Sequence, residues 1–171
     1  MGSELDKVVI ENNKKFAGTF NSDGLDIHPA RKVVIITCMD CRLDPIAFCG
    51  FKVGEATVIR NAGAYAEDAA RSVLLTTHVL GAEDIYIIKH TDCGLIGVST
   101  EAGHSIIKKN LGLTESEDVD KFPILGIDNL EKSLEQAVEY MRKHPLLMKR
   151  IRITGWIYDT DSGILSKVIN A

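Results

Sequence analysis

Two short apolar runs in this chain end on residues that bind metals. "KVVIIT", residues 32 to 37, leads straight into Cys38, and "EDIYIIKH", residues 83 to 90, ends on His90 with Cys93 just beyond. Both runs are short, β-branched and almost uninterrupted by polar residues, which predicts strands covered on both faces. "ATVIRNAG", residues 56 to 63, offers a further short strand. After it, small or apolar residues recur at Ala66, Ala69, Val73, Thr77 and Leu80, a helical spacing closed by Gly81. Strands alternating with helices predict an α/β fold with a central, mainly parallel β-sheet flanked by helices.

The flanking segments fit that plan. Residues 3 to 16 read as a helix with Ser3 as N-cap and Leu5, Val9 and Phe16 roughly on one side. Residues 128 to 143 read as an amphipathic helix with Leu130, Leu134, Val138 and Met141 on its apolar face. Asp128 and Glu131 look like its capping pair, and Pro145 stops it. "RIRITGWIYD", "TDSG" and "ILSKVI" then read as strand, turn and strand. Residues 94 to 126 yield only short helices and loops.

A length of 171 residues suits one domain, here taken as residues 1–171, with a substantial core. A net charge of -4 without a basic run argues against nucleic-acid binding. No uninterrupted run of about 18 apolar residues is present, which argues against a membrane span. Four cysteines are too sparse for a secreted disulfide scaffold, and the start, "MGSELDKVVIENN", lacks the apolar core of a signal peptide. The expectation is a cytoplasmic protein with reduced thiols.

The carboxyl ends of neighbouring parallel strands are where α/β sheets place their sites, so Cys38, His90 and Cys93 converge if the runs pair. Two thiolates and one imidazole suit zinc and disfavour magnesium or calcium. The spacing leaves three readings open. One is a closed, non-enzymatic structural zinc site in which Cys41 is the fourth ligand; another is a redox dithiol made by Cys38 and Cys41. The third is a site with three protein ligands. If the chain continues extended past Cys38, Asp40 and Arg42 share its side and Cys41 faces the other way. Asp40 and Arg42 then form a carboxylate–guanidinium pair, which draws Asp40 away from the metal. A redox motif normally opens a helix, whereas no helix is expected here before Pro45.

On these residues the chain resembles the beta-class carbonic anhydrases, in particular their compact microbial members. Their hallmark is a C-x-D-x-R segment followed by H-x-x-C, here Cys38-Met39-Asp40-Cys41-Arg42 and His90-Thr91-Asp92-Cys93, with "VIRNAGA" between them. The resemblance implies one zinc ion per chain held by Cys38, His90 and Cys93, with water or hydroxide in the fourth position. It implies Asp40 and Arg42 as the catalytic pair and hydration of CO2 to bicarbonate as the reaction. Hydrolysis of carbonyl sulfide or carbon disulfide to hydrogen sulfide and CO2 is the alternative within the same family. It further implies a homodimer or a dimer of dimers, with the helix over residues 3 to 16 as dimerisation arm. Three residues depart from the family pattern: Lys89 where a small residue is common, Cys41 where Ser is common, and Ala64 where Asn is frequent. All lie near the site, and they bear on substrate choice more than on metal binding.

Other residues have plainer readings. His28 reads as a surface residue, His78 as packed or interfacial, and His144 as a residue at a helix C-terminus. His104 reads as a lone loop histidine, Cys49 as a small packed hydrophobe, and Cys41 as a buried small residue near the metal. Asp92 reads as a turn residue or a partner of the ligands.

Overall fold

The computed structural model describes residues 3–171. The first helix, α1, spans Glu4–Ala17 and opens with a reciprocal cap: Ser3 Oγ accepts from the Asp6 amide, and Asp6 accepts from the Ser3 amide. None of its residues is buried; Leu5, Val9 and Phe16 remain 69%, 58% and 58% exposed.

Five strands form one sheet. They are β1 (Val33–Cys38), β2 (Ala56–Asn61), β3 (Asp84–His90), β4 (Arg152–Tyr158) and β5 (Leu165–Ile169), in the order β2-β1-β3-β4-β5. The first four are parallel, and only β5 runs antiparallel, on β4. Every residue of β1 is buried, as its unbroken apolar run predicts. The β1–β3 register sets Thr37 beside Ile88, and Thr37 Oγ1 donates to the Ile88 carbonyl at 2.9 Å. Cys38 and His90 therefore leave adjacent strands at the same edge of the sheet.

Helices α3 (Ala66–His78) and α6 (Leu130–Lys143) pack on one face. Their Val73, Leu134, Val138 and Met141 meet Val34, Ile36, Ile85 and Ile87 there. Asn129 caps α6, its Oδ1 accepting from the Lys132 amide at 2.7 Å, so the cap falls one residue after the expected Asp128. The other face carries Val33, Ile35 and Ile88 under Phe48, Phe51 and Trp156. Phe48 belongs to α2 (Pro45–Phe48), which starts on its proline.

Residues 94 to 126 are more ordered than their sequence pattern suggests. They hold α4, the 12-residue helix Thr100–Leu111, and α5, Glu117–Lys121. Gly103 inside α4 lowers helical propensity, yet it is there for packing, since a Cβ at this position would lie 2.6 Å from Ile124. Among the described residues no helix is long and apolar enough to cross a membrane.

Candidate metal centre

Cys38 closes β1, His90 closes β3, and Cys93 sits on the turn that follows β3. All three are buried, and their potential ligand atoms lie within 4.8 Å of one another. The two sulfurs are 4.0 Å apart. Two thiolates at about 2.3 Å from one tetrahedral ion would be separated by about 3.8 Å, so the spacing fits zinc. His90 Nδ1 faces the Thr91 carbonyl at 2.8 Å. Because a carbonyl only accepts, Nδ1 carries the proton and Nε2 keeps its lone pair. That Nε2 is buried without a hydrogen-bond partner, the condition of a nitrogen reserved for a metal. The donor chemistry and this orphaned atom both fit zinc.

The thiols also polarise each other. The contact between the two sulfurs pulls the Cys38 pKa down against the effect of burial, and with burial it holds Cys93 up.

Asp40 and Arg42 sit at the mouth of this triad. Arg42 grips the carboxylate with two side-chain donors, Nε to Oδ1 at 3.0 Å and Nη2 to Oδ2 at 2.8 Å. The Arg42 amide adds a third bond to Oδ1 at 2.9 Å. Together they hold Asp40 well below the usual carboxylate range. Asp40 Oδ2 remains 4.0 Å from His90 Nε2. Arg42 also reaches the second motif, with Nη1 on Asp92 Oδ2 at 2.7 Å and Nη2 on the Asp92 carbonyl at 2.8 Å. Asp92 is therefore both a turn residue, with φ of 52°, and a partner of the arginine.

The local geometry corrects one expectation. The chain does not stay extended beyond Cys38. It turns at Asp40, where the Leu43 amide bonds the Asp40 carbonyl at 3.1 Å. Asp40 and Arg42 meet because of this turn, and Cys41 is turned outward and exposed rather than buried near the metal. Cys41 lies outside the Cys38-His90-Cys93 cluster.

Four further residues line or brace the centre. Arg60, one residue before the end of β2, clamps the first motif, with Nε on the Cys38 carbonyl at 3.1 Å and Nη2 on the Asp40 carbonyl at 2.6 Å. Its signal in the sequence was an arginine directly after the apolar Val58-Ile59 pair. Gly63, in the tight turn Ala62–Ala64, directs its amide at Cys38 Sγ, 3.4 Å away. Its φ of 73° favours glycine, and a Cβ there would lie 3.0 Å from Leu95. The next residue, Ala64, is fully buried and also left-handed, with φ of 53°, a conformation that Asn tolerates better than Ala. Lys89 is 2% exposed, donates to the Gly63 carbonyl at 2.6 Å and lies 4.8 Å from the centre of the Tyr65 ring. Burial pushes its pKa down to about 8, against the pull of the Cys93 and Cys38 sulfurs.

A cleft of about 260 Å³ opens over Cys38 and Cys93, walled by Met39, Asp40, Ala62, Gly63 and Leu95. Apart from Asp40 these walls are largely apolar. A wider groove of about 460 Å³ between α6 and β5 is lined by Glu139, Arg142 and Ile169 among others, without any cysteine or histidine.

The remaining histidines have structural partners. His78 Nε2 donates to the Leu146 carbonyl and His104 Nε2 to the Phe122 carbonyl, while exposed His28 pairs with Asp26. His78 is exposed rather than packed, and His104 lies in α4 rather than in a loop. Cys49 is half-buried against the Val33 cluster, and burial pushes its thiol up to about 11.

Comparison with known proteins adds context to this geometry. The family model described as carbonic anhydrase matches residues 33–165. Beta-carbonic anhydrase 1 of Mycobacterium tuberculosis is 30% identical over 160 residues, covering 93% of this chain and 94% of that protein. A carbon disulfide hydrolase of Acidithiobacillus thiooxidans is 34% identical over 152 residues, covering 79% of this chain and 76% of its own. The solved structure of a beta-carbonic anhydrase from Trichomonas vaginalis superposes with a TM-score of 0.86 at 30% identity, covering 99% of both chains.

Proposed function

We propose that this chain, which belongs to the beta-carbonic anhydrase family, hydrates CO2 to bicarbonate at a zinc ion held by Cys38, His90 and Cys93. The observation that carries this reading is the buried His90 Nε2, unpartnered and facing two thiols beside an arginine-held aspartate. Zinc bound there would supply a Lewis acid that makes water far more acidic, yielding a hydroxide nucleophile near neutral pH. One such ion per chain accounts for all three donors.

The protein's own part follows from the geometry. Asp40 stays ionised because Arg42 bonds both of its oxygens, and Oδ2, which takes only one of those bonds, lies at the mouth of the triad. In that position it accepts a hydrogen bond from the reacting water and fixes where the lone pair points. Arg42 keeps Asp40 turned to this task and away from a fourth ligand position. The apolar walls Met39, Ala62 and Leu95 admit a small neutral linear molecule and offer little to hold water against it. Water adds to CO2, giving bicarbonate and a proton that passes to solvent.

The relative from Acidithiobacillus supports a second reading, hydrolysis of carbonyl sulfide or carbon disulfide at the same site. An apolar cleft separates such similar molecules by only about 1–3 kcal/mol. The chain acts as a homodimer or a dimer of dimers, a reading supported by the exposed apolar side of α1. The test is to compare CO2 hydration with hydrogen sulfide release from carbonyl sulfide, on zinc-loaded and chelator-stripped protein. Zinc-dependent hydration faster than sulfide release supports the first reading, and the reverse order supports the second. Neither activity with zinc fully bound would overturn both.

A further inference from the structure

Lys89 is the largest of the fully buried side chains, and it sits next to a proposed ligand. Placing an ammonium in such a position is costly unless it is paired. Among the described residues no carboxylate forms an ion pair with it; its contacts are the Gly63 carbonyl and the face of Tyr65. Nor does it belong to the wall of the cleft, so it has no route to a substrate there. What it does touch is the turn that serves Cys38.

We infer that Lys89 is a positioning residue for the Cys38 ligand, acting through Gly63. Nζ holds the Gly63 carbonyl at 2.6 Å, and the amide of the same residue points at Cys38 Sγ from 3.4 Å. Gly63 is thereby held at both of its backbone polar groups, between a strand of the sheet and a sulfur. The left-handed φ of Gly63 gives the turn little intrinsic preference for this conformation, so an anchor from outside is needed to hold it. Lys89 is that anchor. Tyr65 closes the other side of the ammonium, and Asn61 fixes Tyr65 in turn. Its Oδ1 accepts from the Tyr65 amide at 2.8 Å, and its Nδ2 donates to the Tyr65 carbonyl at 2.7 Å. The turn is thus braced from β2 and from β3 together. An amide directed at a ligand sulfur orients its lone pairs and steadies its negative charge, the kind of outer contact on which metal affinity depends. A small residue at position 89 cannot supply this brace.

The inference rests on Cys38 being a metal ligand, as proposed above, and the experiment separates the two claims. Zinc affinity is measured by competition with a chromophoric chelator for the parent protein and for Lys89→Met, Lys89→Gln and Lys89→Arg. The melting temperature of each metal-free variant establishes that it is folded. Lys89→Met and Lys89→Gln are expected to bind zinc about 10- to 100-fold more weakly, with Lys89→Arg recovering part of the loss. In the cobalt-substituted protein, the sulfur-to-cobalt charge-transfer band should shift in the Met and Gln variants and return towards the parent position in Arg. In the parent loaded with cadmium-113, the Gly63 amide proton should show coupling to the metal through the hydrogen bond. Gln retains a donor one atom short of the carbonyl and makes the same comparison should Met fail to fold. A parent that binds zinc, with folded variants of equal affinity and unchanged cobalt spectrum, overturns the role of Lys89 alone. Absence of the Gly63 coupling overturns it as well. A parent that takes up no zinc overturns the proposed function itself.

Discussion

Arg42 holds both carboxylate oxygens of Asp40 while its remaining donors reach Asp92, so one guanidinium ties the Cys38 motif to the Cys93 turn. Removing it releases two acidic residues at the edge of a proposed cationic centre. Arg42→Ala is expected to lower kcat/KM for CO2 hydration about 100-fold, as a misplaced catalytic group does. Zinc-edge absorption should then gain a carboxylate oxygen as Asp40 turns to the metal. Full activity in this variant would remove the basis for the role given to Asp40.

The same pair makes a prediction about acid. Asp40 is held below its ordinary value of 3.8, so its share of stability is present above that value and fades only as pH falls through the lower folded one. In the parent, Asp40 therefore stays ionised at pH 4. In Arg42→Ala its titration should return towards the ordinary carboxylate range, which carbon-detected NMR of the aspartate carboxyls reads directly.

Asp92→Asn should be mild. The Asp92 side chain is 78% exposed, and its backbone carbonyl continues to accept from Arg42. An exposed ion pair contributes under about 1 kcal/mol, so less than a fivefold change in kcat/KM is expected. A loss as large as that of Arg42→Ala would mean that Asp92 has a direct part in the chemistry.

Gly126→Ala should damage the centre from a distance. A Cβ on Gly126 would fall 1.8 Å from the Val98 carbonyl oxygen, and that is backbone, not a side chain that can swing aside. The adjoining Ile127 amide donates to Leu95 in the loop after Cys93. Overpacking of this kind costs about 1–3 kcal/mol, to be read in urea unfolding, with weaker zinc binding as its companion.

The thiols should separate by reactivity. Cys41 is exposed, Cys38 and Cys93 are buried, and burial keeps Cys49 protonated near neutral pH. With zinc bound, iodoacetamide should label Cys41 first. After chelation, Cys38 and Cys93 should join it while Cys49 stays slow, as peptide mass mapping would show. Labelling of Cys38 at equal rates with and without zinc would argue against its being a ligand.

Deletion of residues 1–20 tests the arm. No residue of α1 is buried in the single chain, which leaves its apolar side free for the proposed dimer contact. The truncated protein should sediment as a smaller species than the full chain, and an unchanged oligomer would place the interface elsewhere.

How much of this was legible depends on what set each feature. The strand ends at Cys38 and His90 were readable because burial on both faces writes itself as an unbroken apolar run. The route from Asp40 to Arg42 was not, since extended parity put the two on one side of a straight chain and the chain turns there instead. The Asp40 side chain instead captures the Arg42 amide and curls the chain, a competition between side chain and backbone that periodicity does not register. The pair was right and the path to it was not. Helix α4 was obscured by Gly103, whose reason lies in Ile124, some twenty positions away. Lys89 read as an odd substitution until Gly63 was seen above it, because the partner of a buried cation is a matter of tertiary contact.

Two of the three proposed donors are mounted on the central strands of the sheet, and the third rides on a turn. Cys38 and His90 thus behave as a fixed post, with almost no freedom left to lose when an ion arrives. The turn from Thr91 to Val98 is the latch. Exchange of the ion should therefore be timed by the opening of that one turn, while the sheet itself stays folded through every exchange.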